Sequence, residues 1–404
     1  MDGRVDVAIV GAGIVGLATA LRLLEARPGL RLAVLEREDR VGAHQSGHNS
    51  GVVHAGIYYA PGSRKAALCR EGKGLLERYC EEHGIPLEHP GKLVVALGER
   101  ELPALAALRT RAEANGVEGL EEVGPERIRE LEPHAAGIRA LWSPGTGIVD
   151  FSRVTAAYAD DVRARGGGVE LARPVTRITR RRDGLVLDTP RGAVQAGAVV
   201  ACAGLWSDRV ASLTGDATRD TPRIVPFRGD YYTLTPDARH LIRGLLYPVP
   251  DPRFPFLGVH FTRRIDGEVW AGPNAVLAFR RDGYRRRDLS PRDLAEVIAF
   301  PGFLRLARRF WRTGAAEMWR DASRAAFARE LRRYVPGLRD DQLRFGPSGV
   351  RAQALSRDGS LVDDFDLAGG DRVLHVRNAP SPAATSSLAI GGELARLAVE
   401  RFSL

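Results

Sequence analysis

Glycines 11, 13 and 16 stand in the spacing G-x-G-x-x-G, between an apolar run from Val5 to Val10 and a helix-periodic stretch from about Ile14 to Ala26. Glu36 follows Gly16 by 20 residues, at the end of a second apolar run that starts at Leu32. Each part has a mechanical job in holding a dinucleotide. The glycines make the turn, admit a pyrophosphate and let helix pack on strand, while the helix N-terminus offers unpaired N–H groups to the phosphates. A carboxylate at Glu36 accepts ribose hydroxyls and repels a 2′-phosphate, which argues against NADP. The competing reading is a glycine turn that serves packing alone; the strand–turn–helix setting and the placed carboxylate favour binding.

A second chemical segment runs from His44 to Tyr59, HQSGHNSGVVHAGIYY. It is richer in small and hydrogen-bonding groups than a connector requires, and such a segment can lay its backbone against a flat conjugated ligand.

These residues need elements to position them. The opening strand, glycine turn, helix and strand predict the start of a parallel doubly wound domain. Residues 64–83 have helical spacing, 91–97 read as a strand, and 99–135 read as charged helix broken at Gly124-Pro125. Residues 142–150 are expected to be a loop leading into a helix over 152–165. Short β-like runs at 168–180 and 185–190 precede an apolar strand, Ala198 to Ala201, ending at Gly204. Runs at 230–234, 256–262 and 268–272 predict strands of a second sheet. The expected architecture is α/β: a discontinuous Rossmann-like domain over 1–80, 150–215 and 340–404, and a substrate domain on a mainly antiparallel sheet over 81–149 and 216–339.

Length and composition bound the answer further. The chain has 404 residues, 44% of them hydrophobic and 27% charged, which fits a folded protein of two or three domains and excludes disorder. Net charge is +9, and only Lys65, Lys73 and Lys92 are lysines among 59 basic residues. Arginine enrichment follows from coding bias or from carboxylate and phosphate recognition. Its spread along the chain, without clustered aromatics, argues against nucleic acid. Cys69, Cys80 and Cys202 form no pair or metal-ligand spacing, so a reducing compartment and no metal are expected. The uncharged run Val7 to Leu21 is too short for a membrane span. A cytoplasmic protein is expected, with a basic amphipathic stretch at 303–335 that either packs between domains or touches the cytoplasmic face of a membrane.

HNSGVVHAGIYYAPGS at 48–63, GKLVVA at 91–96, FPFLGVHFTRR at 254–264, GVRAQAL at 349–355 and NAPSPAATSSLAIG at 378–391 resemble the L-2-hydroxyglutarate dehydrogenase/oxidase family, within the D-amino-acid-oxidase-like flavoproteins. The resemblance covers essentially the whole chain; Arg70 is a local departure where a small apolar residue is expected. It implies FAD and oxidation of L-2-hydroxyglutarate to 2-oxoglutarate, with the Cα–H leaving as hydride to the flavin while a base takes the hydroxyl proton. Electrons then pass to oxygen, a quinone or another electron-transfer acceptor.

The expected FAD contacts are Gly11, Gly13, Ile14, Val15 and Gly16 at the turn, Glu36 and Arg37 at the ribose, and His48, Asn49, Ser50, Gly51, Val52 and His54 in the loop. Val175, then Ala203, Gly204 and Trp206 in a second glycine turn, follow. Pro382, Ala383, Ala384 and Thr385 enter a final helix whose N-terminus would favour negative charge on a reduced flavin. His260 and His54 are the two candidates for the base. Arg351, Arg263 and Arg228 are candidates for the dicarboxylate, with Tyr59 and Tyr232 as hydroxyl donors; each arginine is equally readable as a surface or ion-pair residue. The alternatives are another 2-hydroxy acid, an amino acid or glycerol 3-phosphate as substrate, or, from another class, an FAD-bearing RNA-binding or RNA-modifying protein.

Overall fold

The computed structural model describes residues 3–250 and 258–404. Strand Arg4–Val10 lies at the centre of the first sheet, with Leu32–Leu35 and Val194–Ala201 parallel on either side. Gly168–Glu170 continues it beyond Leu32–Leu35, and Val373–Asn378 runs parallel to the end of Val194–Ala201. An antiparallel hairpin, Arg177–Arg181 and Gly184–Asp188, completes one edge. Both faces of the central strand are covered. Val7 and Ile9 join one core with the helices Ile14–Ala26, Phe151–Ala164 and Ser387–Phe402, while Val5, Ala8 and Val10 join another. Near-continuous apolar sequence is what burial on two faces demands. The first and last helices pack closely at Gly391, where a Cβ would lie 2.7 Å from the Ala18 carbonyl carbon.

The second sheet is mostly antiparallel. Its spatial order among the described residues is Val276–Leu277, Arg223–Leu234, Val269–Gly272, His260–Arg263, Leu245–Pro248, Lys92–Ala96, Arg139–Ser143 and Glu121–Val123. Leu343–Leu355 pairs along Arg223–Leu234. Alternation gives this sheet two unlike faces. Leu93, Val95, Leu246, Phe261, Ala271 and Tyr232 pack on Phe327 and Leu331 of helix Arg324–Arg332. Lys92, Tyr247 and His260 point the other way, as the pairings of Leu245 with both Lys92 and Thr262 require.

The α/β class and the antiparallel second sheet are as expected from sequence, and several elements differ. The charged stretch 99–135 contains a strand, Glu121–Val123, between its helices, and the expected loop 142–150 contains the strand Gly147–Val149. Gly147–Val149 pairs with Val52–Val53 and Leu87–Glu88 in a small sheet that fixes the segment around His54. Both strands are short and paired at long range, so neither leaves a local pattern. Leu343–Leu355, placed with the first domain by the expected 340–404 segment, belongs instead to the second sheet. The expected strand at 256–262 starts at His260; Phe256 and Leu257, with the FPFL end of the family-like run, lie outside the described residues.

Candidate active site

The glycine turn is built for close approach. Gly11 has φ +108°, and a Cβ on it would lie 2.5 Å from the Cys202 carbonyl oxygen; one on Gly16 would lie 2.1 Å from the Gly11 oxygen. Ser46 Oγ accepts from the Ile14 N–H at 2.9 Å, so the loop that follows the second strand supplies a cap that Gly13 cannot. Glu36 is nearly buried, and its carboxylate accepts from the N–H groups of Ala12, at 2.7 Å, and Glu38, at 3.0 Å. Gly11, Gly13, Glu36 and Ser46 line a cavity of about 840 Å³ together with Arg37, Val175, Ala203, Gly204 and Trp206; Ile14 and Gly16 shape the turn behind it. The Arg37 guanidinium stacks over the Trp206 ring, 3.9 Å from its centroid. A glycine floor that no side chain can share, a fixed carboxylate and a cavity of this size fit the nucleotide part of FAD.

Around the loop, most of the expected contacts have defined structural partners. Asn49 Oδ1 accepts from the Gly51 N–H at 2.8 Å while its amide donates to the Ser46 carbonyl at 2.6 Å, which holds the turn. His48 stacks on Tyr284 with centroids 3.9 Å apart, and its Nδ1 lies 3.1 Å from the Ser348 carbonyl. Arg264 Nη1 donates to the Asn49 carbonyl at 2.9 Å and ties the loop to the second sheet. Ser50 is part-exposed beside Gly51 and Val52, which are buried. Thr385 is fully buried, and its hydroxyl oxygen sits between the His54 N–H, at 3.1 Å, and the Val52 carbonyl, at 3.4 Å. The loop before the final helix, with Pro382, Ala383 and Ala384, is thereby joined to the histidine-bearing loop.

Beyond this junction lies a polar cluster on the face of the second sheet opposite its helix-covered core. His260 is 5% exposed, and its Nδ1 is 2.9 Å from the Gly258 carbonyl. A carbonyl only accepts, so Nδ1 carries the proton and Nε2 keeps its lone pair when the ring is neutral. Burial, with the charges of Lys92 and Arg351 nearby, pushes the His260 pKa down to about 3. His54 is held to about 3 by burial, with Lys92 and His260 beside it, and its Nε2 is 3.5 Å from Ser381 Oγ. The Tyr247 ring lies 3.9 Å from the His260 ring. Arg351 is exposed here, on the face shared with Tyr231. Tyr59 stands on the same loop, its carbonyl accepting from Asn115 at 2.8 Å.

Three expected substrate residues are placed elsewhere. Arg228 is buried in a salt-bridge network, 2.8 Å from Asp230 and 3.5 Å from Asp321. Arg263 lies an odd number of positions from His260, so it projects from the opposite face and meets Glu88 at 3.4 Å. Tyr232 packs on Phe327 and Phe345 in the helical core, and its neighbour Tyr231 faces Arg351 instead. A bulge between Asp230 and Tyr232 shifts the register there. Lys92, Tyr247, Ser46 and Arg264 were not singled out from sequence. Lys92 could have been: it is one of three lysines and stands between glycine and an apolar strand.

A family model for FAD dependent oxidoreductases matches residues 6–397. The chain belongs to this family. It is 50% identical to the mitochondrial L-2-hydroxyglutarate dehydrogenase of Nematostella vectensis, over 99% of this chain and 91% of that protein. It is 44% identical to the L-2-hydroxyglutarate dehydrogenase of Indibacter alkaliphilus, over 98% of this chain and 99% of that one. Among solved structures, the L-alpha-glycerophosphate oxidase of Mycoplasma pneumoniae superposes with a TM-score of 0.80 at 22% identity, covering 98% of this chain and 94% of that chain. That likeness establishes the shared fold. FAD is therefore the cofactor of this chain, in agreement with the cradle.

Proposed function

We propose that the chain oxidises L-2-hydroxyglutarate to 2-oxoglutarate, with His260 as the base. The observation that carries this reading is His260 itself: buried, neutral, with its Nδ1–H committed to the Gly258 carbonyl and an exposed guanidinium, Arg351, acting on it across the same face. FAD, when bound, supplies the hydride acceptor. The Glu36 carboxylate and the glycine turn hold its nucleotide part. His260 Nε2 takes the hydroxyl proton of the substrate. Arg351 binds a carboxylate through a paired fork, which orients the hydroxyl-bearing carbon. His54, pinned through its backbone by Thr385, is the second candidate for the proton. The experiment is a panel of L- and D-2-hydroxyglutarate, other 2-hydroxy acids, amino acids and glycerol 3-phosphate, read by anaerobic bleaching of the flavin. L-2-hydroxyglutarate is expected to be the preferred reductant.

For the electron acceptor we favour a membrane quinone, reached by a chain otherwise in the cytoplasm. No helix among the described residues is long and apolar enough to cross a membrane. The helical stretch Pro301–Ala322, which breaks at Phe310, nonetheless leaves Trp311 63%, Met318 58% and Trp319 67% exposed. Residues 311, 318 and 319 share one helical face, and Arg305, Arg308, Arg309 and Arg312 are exposed around them. Aromatics among arginines suit an anionic lipid surface. The holoenzyme is expected to sediment with phosphatidylglycerol-containing vesicles at low salt and to be released at high salt; retention in the supernatant at low salt would overturn this contact.

A further inference from the structure

Lys92 has no role in the chemistry described so far, yet it is 1% exposed and opens a strand in the middle of the second sheet. Its Nζ lies 4.2 Å from the Tyr247 ring centroid and 5.2 Å from that of Tyr58. The Tyr247 ring in turn lies tilted against His260, with centroids 3.9 Å apart. No carboxylate forms an ion pair with Lys92 among the described residues; the groups that face it are His54, Tyr58, Cys69, Tyr247 and His260, with Arg351 acting on His260 from beyond. A buried ammonium is costly unless an anion meets it, and aromatic faces compensate only in part. The Tyr58 hydroxyl beside it is also buried with no hydrogen-bond partner among the described residues. Among the described residues the surroundings of Lys92 thus hold two neutral histidines and aromatic rings but no carboxylate to meet its charge. A diacid brings one.

We infer that Lys92 is a substrate-binding residue: its ammonium receives one carboxylate of the diacid while Arg351 receives the other, so that Lys92 sets the preference for dicarboxylates over monocarboxylates. This rests on the reading of the site as one for a 2-hydroxy diacid, and it adds the residue that selects the second acid group. Burial holds the Lys92 pKa down to about 7, whereas His54 and His260 are held near 3 and Cys69 is raised to about 12. The tyrosines at Tyr58 and Tyr247 are raised as well. Of the groups that face the ammonium, Lys92 alone changes charge between pH 6 and 9. Its deprotonation above about 7 removes the counter-charge, so affinity for a diacid falls as pH rises.

The test uses the FAD holoenzyme and two unreactive probes, glutarate and butyrate, with binding read from the perturbed flavin spectrum. In the wild type the Kd for glutarate is expected to rise by about tenfold per pH unit above about 7 as one group deprotonates; a Kd flat from pH 6 to 9 would overturn the inference. Lys92→Met is expected to weaken glutarate by roughly 30-fold or more and butyrate by less than about threefold, with Lys92→Arg recovering part of the loss. Equal effects on the two probes, or none on glutarate, would overturn it. The pH series needs no variant and stands if Lys92→Met fails to fold. If L-2-hydroxyglutarate does not reduce the wild type, the underlying reading fails; if it does and the glutarate result is flat, the role of Lys92 alone fails.

Discussion

Gly16→Ala is expected to yield a folded chain that retains no flavin. The added Cβ would lie 2.1 Å from the Gly11 carbonyl oxygen, a backbone atom that cannot swing away as a side chain does. Relief requires the helix Ile14–Ala26 to move off the strand Arg4–Val10, and that junction presents the helix N–H groups to the pyrophosphate. FAD affinity should fall by more than about 100-fold, since losing several phosphate hydrogen bonds together costs on the order of 3 kcal/mol or more. The first core, with Val7, Ile9, Leu17 and Leu21, remains apolar and packed, so circular dichroism should still report a folded protein. The measurement is the ratio of visible flavin absorbance to protein absorbance after purification, followed by titration with added FAD. A Gly16→Ala protein that is as yellow as the wild type would contradict the placement of the pyrophosphate.

His260→Ala is expected to keep FAD and lose the fast reduction. Removing a general base costs about 10²- to 10⁴-fold in the step it assists. His260 stands on the second sheet, away from the glycine cradle, so flavin content should be unchanged. His54→Ala should cost less in rate than His260→Ala and leave the junction with Thr385 intact, because the His54 backbone N–H, not its ring, makes that bond. Stopped-flow reduction by L-2-hydroxyglutarate separates the two. The pH dependence follows from the same burial. With its pKa lowered to about 3, the free enzyme's His260 stays unprotonated throughout the neutral range. kcat/KM for reduction should therefore not decline through the ordinary histidine range near 6.5 as pH falls. Wild-type rates in His260→Ala would remove the residue from the chemistry.

The parts of the fold that were legible in the sequence are those with a local signature. The strand, glycine turn and helix through Ala26 carry their own periodicity and their own clash-limited glycines, and the run 48–63 is distinctive in itself. His260 was legible as a histidine in a short β-rich segment. Side-chain facing was harder. Arg263 and Tyr232 fail as site residues by parity: one lies three positions from His260, and the other lies beside a bulge that no sequence pattern announces. Arg228 fails because its carboxylate partners, Asp230 and Asp321, include one 93 positions away. Lys92 went unread because an apolar strand around a lysine reads as a sheet edge or a snorkelling side chain, whereas its neighbours His54, Tyr247 and His260 come together only through the pairings of Lys92–Ala96 with Leu245–Pro248 and of that strand with His260–Arg263. The strand Leu343–Leu355, which bears Arg351, was placed with the first domain for the same reason: its partner strand in the second sheet is more than a hundred residues away.

The most direct measurement is the visible spectrum of the purified holoenzyme before and after L-2-hydroxyglutarate is added without oxygen. The oxidised flavin bands should collapse with the L-enantiomer, persist with the D-enantiomer, and 2-oxoglutarate should appear in amounts equal to the flavin reduced. A yellow protein whose spectrum is untouched by saturating L-2-hydroxyglutarate would contradict the proposed function, and a chain that is colourless and takes up no added FAD would contradict the site itself.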